Sequence, residues 1–198
     1  MPAAVLPAAG SSRRMGRPKL LLPFRGTSLV GAVAEALRQA GADPIVLVAS
    51  AERKDLLDWA RETGLTAAVN PDPGRGMLSS IREGIAALGG AAALARAGEV
   101  LLVCPADLPA LRAATVGELL RRQAEAEAPL AVPVFRGKRG HPLAIAPALI
   151  PEIETLDLEV GLRQLLDRHA AEVLEVQVGD EGAVEDVDTP EDYARLNG

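Results

Sequence analysis

Short apolar runs alternate with longer amphipathic ones along almost the whole chain, and that alternation admits few folds. Strand-length runs separated by helical ones build a largely parallel sheet with helices on both faces. The first run, Ala3 to Leu6, ends in a glycine-rich turn, AAGSSRRMG. Leu29 to Gly41 follows as a helix, with Leu29, Val33, Leu37 and Ala40 at helical spacing and Gly41 as its C-cap. Pro44 to Val48 reads as a buried strand, ERKDLLDWARETG as an amphipathic helix, and Thr66 to Val69 as a short strand. Prolines and glycines make NPDPGRG a loop. A helix around MLSSIREGIAAL and a continuous buried strand in EVLLVCPADLP come next, then a helix over Ala113 to Ala126.

Beyond that point the order changes. LAVPVF and HPLAIA are strand-like, and RGKRG between them has the composition of a hairpin turn. An antiparallel excursion over 129–146 is therefore expected. A helix around Val160 to His169 and a strand VLEVQV follow. EDVDTPEDYARL reads as a short strand, a loop and a helix with Thr189 as N-cap and Pro190 at N1. The simple stretch ALGGAAALARAG reads as a loop or frayed helix. The expected architecture is a Rossmann-like three-layer α/β/α domain with a mostly parallel sheet, spanning 1–198 as one unit.

Composition narrows the function. The net charge of -6 argues against a nucleic-acid binder, whose affinity depends on neutralising phosphates. Aromatic residues make up 2% of the chain, so a site built on stacking is not expected. The single cysteine, Cys104, allows no internal disulfide, lies in an apolar strand where it should be inert, and fits a cytoplasmic protein. The N-terminus lacks the basic region of a signal peptide, and no run is long and uncharged enough to span a membrane.

The chemistry is concentrated in three places. The turn after the first strand, LPAAGSSRRMGRPK, places Arg13, Arg14 and Lys19 among small residues, with Gly10 and Gly16 open to close backbone approach. Ligands of open α/β sheets bind beyond the carboxyl ends of strands, where this turn lies. Neither GxxxxGK[ST] nor GxGxxG occurs in it. A cationic turn there suits a polyphosphate; the plainer reading is a solvated basic turn. Asp107 follows an apolar strand, where a carboxylate needs a cation or hydrogen bonds, or else caps the next helix. Near the C-terminus, Glu185, Asp186, Asp188, Glu191 and Asp192 form an acidic cluster. Helix capping explains Glu191 and Asp192 well but Asp186 and Asp188 poorly.

The string LPAAGSSRRMGRPKLLLPFRG resembles the signature LAAGxSxRMGxxKxLLxxxG of the nucleotidyltransferase-A superfamily, and most nearly the molybdenum cofactor cytidylyltransferases and their MobA-like relatives. Pro7 departs from the pattern by removing a backbone N–H. The resemblance implies that Leu6, Ala8, Ala9, Gly10 and Ser11 line the nucleotide and that Arg14 and Lys19 hold the triphosphate. Asp107, in a PADxP setting, is implied as a catalytic residue and ligand of Mg²⁺. Asp188 in DVDTPED is implied as the second metal ligand, with Asp186 in reserve. NPDPGRGMLSSIREGI is similar to a stretch that puts Asn70 and Ser80 near the nucleotide, and Arg75 is a further phosphate candidate. GKRGHPLAI is similar to the subgroup's GHP segment, implying Arg139 and His141, with Lys138 beside them, at an anionic acceptor. The plainer readings are that Ser80 caps its own helix and that the basic segment is an exposed hairpin whose histidine only packs.

The implied reaction is transfer of a nucleotidyl group from an NTP–Mg²⁺ complex to the phosphate of molybdopterin, with release of pyrophosphate. CTP is favoured over GTP because the turn carries Ala8-Ala9-Gly10 where guanylyl enzymes tend to carry LAGG. A molybdoenzyme or its chaperone is the candidate protein partner; neither nucleic acid nor a membrane is expected. The alternatives are a guanylyl or other NTP transferase with a different small phosphorylated acceptor, and a non-catalytic nucleotide-binding homologue. The missing GxGxxG and the arginine-rich turn disfavour a dinucleotide-dependent oxidoreductase.

Overall fold

The computed structural model describes residues 1–10 and 13–197. The strands are β1 (Ala3–Pro7), β2 (Pro23–Phe24), β3 (Thr27–Ser28), β4 (Ile45–Ser50), β5 (Thr66–Asn70), β6 (Leu101–Val103), β7 (Leu130–Phe135), β8 (Lys138–Arg139), β9 (Leu143–Ile145) and β10 (Val173–Gln177). The α-helices are α1 (Leu29–Gln39), α2 (Lys54–Glu62), α3 (Met77–Ala87), α4 (Ala91–Ala97), α5 (Ala113–Glu125), α6 (Arg163–Arg168) and α7 (Pro190–Asn197).

The main sheet runs in the order β10-β7-β9-β6-β1-β4-β5, with β8 attached to β7, while β2 and β3 form a separate small ribbon. β1 pairs in parallel with both β4 and β6, β4 with β5, and β10 with β7. β9 lies antiparallel to both β6 and β7, so β7 points the same way as the parallel strands. The expected excursion over 129–146 is thus narrower than its bounds suggested. It belongs to the main sheet, and the reversal is confined to β8 and β9. The hairpin itself is as expected: Phe135 faces Lys138 across a two-residue turn, with φ 48° at Arg136 and 81° at Gly137. Two positive φ values match the right-handed strand twist.

Alternation along β1 shows how the layers form. Ala4 and Leu6 face one core with α1, α2 and α5; Ala3 and Val5 face the other with α3 and α4. Helix α3 approaches β1 so closely that a Cβ on Gly84 would lie 2.5 Å from Val5 Cγ1. Pro7 costs the sheet nothing. N–H groups of Ala4 and Ala8 go to the β4 side, while that of Ala3 goes to Val100 on the β6 side, which alternation makes the side of residue 7 as well. The register with β6 has already ended at Val5.

Two expectations about local structure need correction. ALGGAAALARAG contains a formed helix, α4, because Ala91 and Leu94 are buried against the 147–155 segment, and packing supplies what the composition lacked. The expected short strand before Asp188 is not one: 184–188 is irregular, and Val187 N–H donates to the Asp107 carbonyl at 3.0 Å. Among the described residues no helix is long and apolar enough to cross a membrane.

Candidate active site

β1 and β6 are parallel neighbours, so their carboxyl ends open on the same edge of the sheet. Beyond them lies a cleft of about 420 Å³ lined by Pro7, Ala8, Ala9, Gly10, Arg14 and Lys19 from the first turn, Ser80 and Met77 from α3, and Asp107 and Asp188 from two distant loops. Topology alone brings the first turn beside Asp107. The C-terminal loop is stitched on by the bond from Val187 to the Asp107 carbonyl.

Lys19 is the centre of the arrangement. Its Nζ donates to Asp107 Oδ2 at 2.7 Å, to Asp188 Oδ1 at 2.9 Å and to the Val187 carbonyl at 2.6 Å. Only 7% of Lys19 is exposed. Burial pulls its pKa down, but the hydrogen bonds and charges of Asp107 and Asp188 outweigh that and hold it above the ordinary 10.5. Arg14, far more exposed, binds the other Asp188 oxygen, Oδ2, at 2.6 Å. Burial would raise the Asp188 carboxyl, yet Lys19 and then Arg14 bring it below 3.8. Asp186 is pushed up, by burial first and then by the negative charge of Asp188. Asp107 and Asp188 thus share two cations, while Asp186 lies beside Asp188. Among the described residues no group of three or more His, Cys, Asp or Glu side chains is arranged to hold a metal ion unaided.

The site residues inferred from the sequence fare unequally. Arg14, Lys19, Asp107, Asp188, Ser80, Ala8, Ala9 and Gly10 converge on the cleft. Leu6 is wholly buried in the core one step behind the lining, and Ser11 lies outside the described residues. Asp107 does not cap the next helix, since α5 begins only at Ala113. Asn70 is buried, and its amide works internally. Nδ2 donates to Ser79 Oγ at 2.8 Å and Ser80 Oγ at 2.9 Å, and Oδ1 accepts from Asp72 N–H at 2.9 Å. It shapes the loop that presents Ser80 and is not part of the cleft lining. Arg139 is paired with Glu175 at 2.7 Å on the exposed side of β8, away from the cleft lining, and Arg75 is exposed in the loop before α3. His141 is half-buried, with Nδ1 shielded from solvent and without a hydrogen-bond partner; burial keeps its pKa below 6.5. Thr189 caps α7 as expected, accepting from Asp192 N–H, and the Asp192 carboxylate accepts from Thr189 N–H in return. Cys104 is fully buried and its thiol is pushed up by burial, so it is inert. The Val187 carbonyl, Met77 and the Pro73–Gly76 edge were not anticipated. A backbone acceptor carries no signal in a sequence, and Met77 reads there as an ordinary helix residue.

Residues 4–173 match the family model of the MobA-like NTP transferase domain. The chain belongs to that family. It is 36% identical over 97% of its length to nicotine blue oxidoreductase of Paenarthrobacter nicotinovorans, 94% of which is covered. The molybdenum cofactor cytidylyltransferase of Escherichia coli K12 is 26% identical, with 96% of this chain and 92% of that protein covered. Among solved structures, Rv0371c from Mycobacterium tuberculosis H37Rv superposes with a TM-score of 0.75 at 26% identity over 98% of this chain and 96% of that one. A further structure of Rv0371c, with a TM-score of 0.70 and 24% identity over 98% and 97% of the two chains, is a complex with manganese.

Proposed function

We propose that this nucleotidyltransferase moves a nucleotidyl group, CMP from CTP in preference, onto the phosphate of a small acceptor, molybdopterin, and releases pyrophosphate. The observation that carries the reading is the meeting of Lys19, Arg14, Asp107 and Asp188 at one cleft, from three chain segments, beyond the ends of β1 and β6. An acceptor phosphate oxygen attacks the α-phosphorus; the new P–O bond forms as the bond to the bridging α–β oxygen breaks, and pyrophosphate leaves in line. No proton has to be moved, so no protein base is required. Lys19 and Arg14 neutralise charge that builds on the equatorial oxygens and the leaving group.

The residues fit a divalent cation such as Mg²⁺. Asp107 and Asp188 are hard oxygen donors that two loops bring to one cleft. Mg²⁺ takes one or two carboxylates and completes its shell with phosphate oxygens and water, as a site short of three ligands requires. When bound, it supplies Lewis-acid stabilisation of the phosphates. His141 is the residue we assign to the acceptor, on the likeness of its GHP segment; its Nδ1 has no hydrogen-bond partner but is shielded from solvent and stands behind the cleft lining, so the acceptor has to reach it by displacing its cover. The small Ala8-Ala9 turn supports the choice of a pyrimidine. The E. coli relative supports both CTP and the cofactor.

A second reading, reduction of a small organic molecule, has the support of the 36%-identical relative named as an oxidoreductase. The chain lacks GxGxxG, and hydride transfer gives the paired carboxylates no task. Pyrophosphate release should be measured with CTP, GTP, UTP and ATP, with Mg²⁺, with and without molybdopterin, beside NAD(P)H oxidation in the same buffers. Release with CTP and molybdopterin is the expected result, and Asp107→Ala should lose it by at least about 10²-fold while staying folded. Release with no NTP, together with NAD(P)H turnover, would replace the first reading by the second.

A further inference from the structure

Helix α5 follows the Asp107 loop, and its N-cap position is held by Arg112, whose side chain makes no capping hydrogen bond. A carboxylate from a distant part of the chain binds this first turn instead, through the Arg112 N–H and the Thr115 hydroxyl. Asp180, only 3% exposed, uses Oδ2 to accept from Arg112 N–H at 3.0 Å and from Thr115 Oγ at 2.6 Å, across 68 and 65 residues. Its other oxygen accepts from Gly182 N–H at 3.1 Å. One carboxylate therefore ties the start of the segment that carries Asp188 to the end of the segment that carries Asp107. Glycine lets the backbones meet, since a Cβ on Gly182 would stand 2.2 Å from the Ala110 carbonyl oxygen. The Val187 to Asp107 backbone bond closes the far end of the same seam.

We propose that Asp180 is a positioning residue for the transfer site: it caps α5 from outside and so sets the spacing between Asp107 and Asp188. The proposal rests on the reading of those two aspartates as metal ligands. It follows from the covalent path. Asp188 lies eight positions after Asp180 and Arg112 five positions after Asp107, so a shift at the clamp reaches both carboxylates through short, tightly packed loops. Neither segment is held by regular secondary structure between clamp and carboxylate, apart from the single turn at Glu181–Ala183.

Asp180→Asn keeps the shape but offers a single acceptor oxygen, and it turns an NH₂ group toward donors. Mn²⁺ affinity, read from the electron paramagnetic resonance of free Mn²⁺ with CTP present, should weaken by about 10-fold or more, the range seen for groups that orient metal ligands. The kcat should fall in step, with circular dichroism unchanged and with metal-free CTP binding kept within about twofold. Thr115→Val should move Mn²⁺ affinity in the same direction by less, and Thr115→Ser should restore it. That pair decides the matter if Asp180→Asn does not fold. A folded Asp180→Asn, or Thr115→Val, with wild-type Mn²⁺ affinity and kcat but a lower Tm would make the clamp merely structural and overturn the proposal. Wild-type protein that binds no Mn²⁺ would overturn the metal reading beneath it, and the clamp with it.

Discussion

Lys19 and Asp107 are 88 positions apart in the chain, and their charged atoms lie 2.7 Å apart. The ammonium compensates the charge of both aspartates, part of what the metal ion we propose there would do. Removing it should expose that substitution. Lys19→Met leaves Asp107 and Asp188 facing each other without their main counter-ion. The loss should be about 2–3 kcal/mol, less than for a wholly buried pair because both carboxylates keep 23% side-chain exposure. Divalent cation should return part of it. Thermal unfolding with and without Mg²⁺ tests this: the rise in Tm should be larger for Lys19→Met than for wild type, and an equal or smaller rise would separate Lys19 from the metal site.

Gly84 offers a test of packing without chemistry. The sequence motif that ends S-I-R-E-G-I places this glycine four residues after Ser80, where it reads as part of a nucleotide signature. Its place in the fold gives a different reason. A methyl group there would meet Val5 Cγ1 at 2.5 Å, Val5 Cγ2 at 2.8 Å and Val48 Cγ2 at 3.2 Å. Gly84→Ala should therefore destabilise by about 1–3 kcal/mol through overpacking, despite the better helix propensity of alanine. Chemical denaturation gives the number. A neutral or stabilising result would mean that α3 can lift from β1 at no cost.

The glycine turn and the two acidic loops were legible in the sequence because each is a contiguous string whose residue types match its chemistry. The layers were legible for a similar reason, since the alternation in β1 and the helical spacing in α1 are local patterns. What stayed hidden depended on partners far along the chain. Asn70 was expected at the nucleotide, but its amide is satisfied by Ser79, Ser80 and Asp72 N–H, which only the folded loop brings together. Arg139 was expected at the acceptor, but Glu175 on the neighbouring β10 claims it. Asp180 carries no signal in its GDEGA setting, because the helix that it caps begins about 67 residues earlier in the chain. α4 is hard to see in the sequence because its stability comes from burial of Ala91 and Leu94 and not from its own composition.

The chain has two histidines, and they should tilt the pH dependence of stability in opposite directions. His169 is hydrogen-bonded to Glu172 and Glu152, in that order of effect, and its pKa is raised above 6.5. Its contribution is fully present below 6.5 and is lost as pH rises through the raised folded value. His141 is depressed by burial, with Lys138 adding to the effect and Asp107 opposing it. Its contribution is present above 6.5 and is lost as pH falls through the lowered folded value. Tm measured against pH should show His169→Gln destabilised most on the acid side, with the gap to wild type closing as pH rises. A gap that stays constant across the range would mean that the two glutamates do not act through the charge of the ring.

Arg14 and Lys19 share Asp188, one on each carboxylate oxygen, yet they should behave differently when removed. The Arg14 side chain is 71% exposed, so its pair with Asp188 is a screened surface contact that contributes about 1 kcal/mol or less. Asp188 keeps Lys19 when Arg14 is gone, so no carboxylate is stranded. Stability should hardly change in Arg14→Ala. Binding should change more, because in the nucleotide complex we propose, the guanidinium exchanges Asp188 for the triphosphate, a more highly charged acceptor that it can grip with two donors. A loss of one such charge-assisted contact predicts a KM for CTP raised by roughly 10-fold, or about 1.4 kcal/mol, with a smaller effect on kcat. Lys19→Met should lower both stability and kcat. Steady-state kinetics and thermal unfolding on the two variants separate these outcomes. An Arg14→Ala protein with an unchanged KM would place the triphosphate elsewhere than against the first turn.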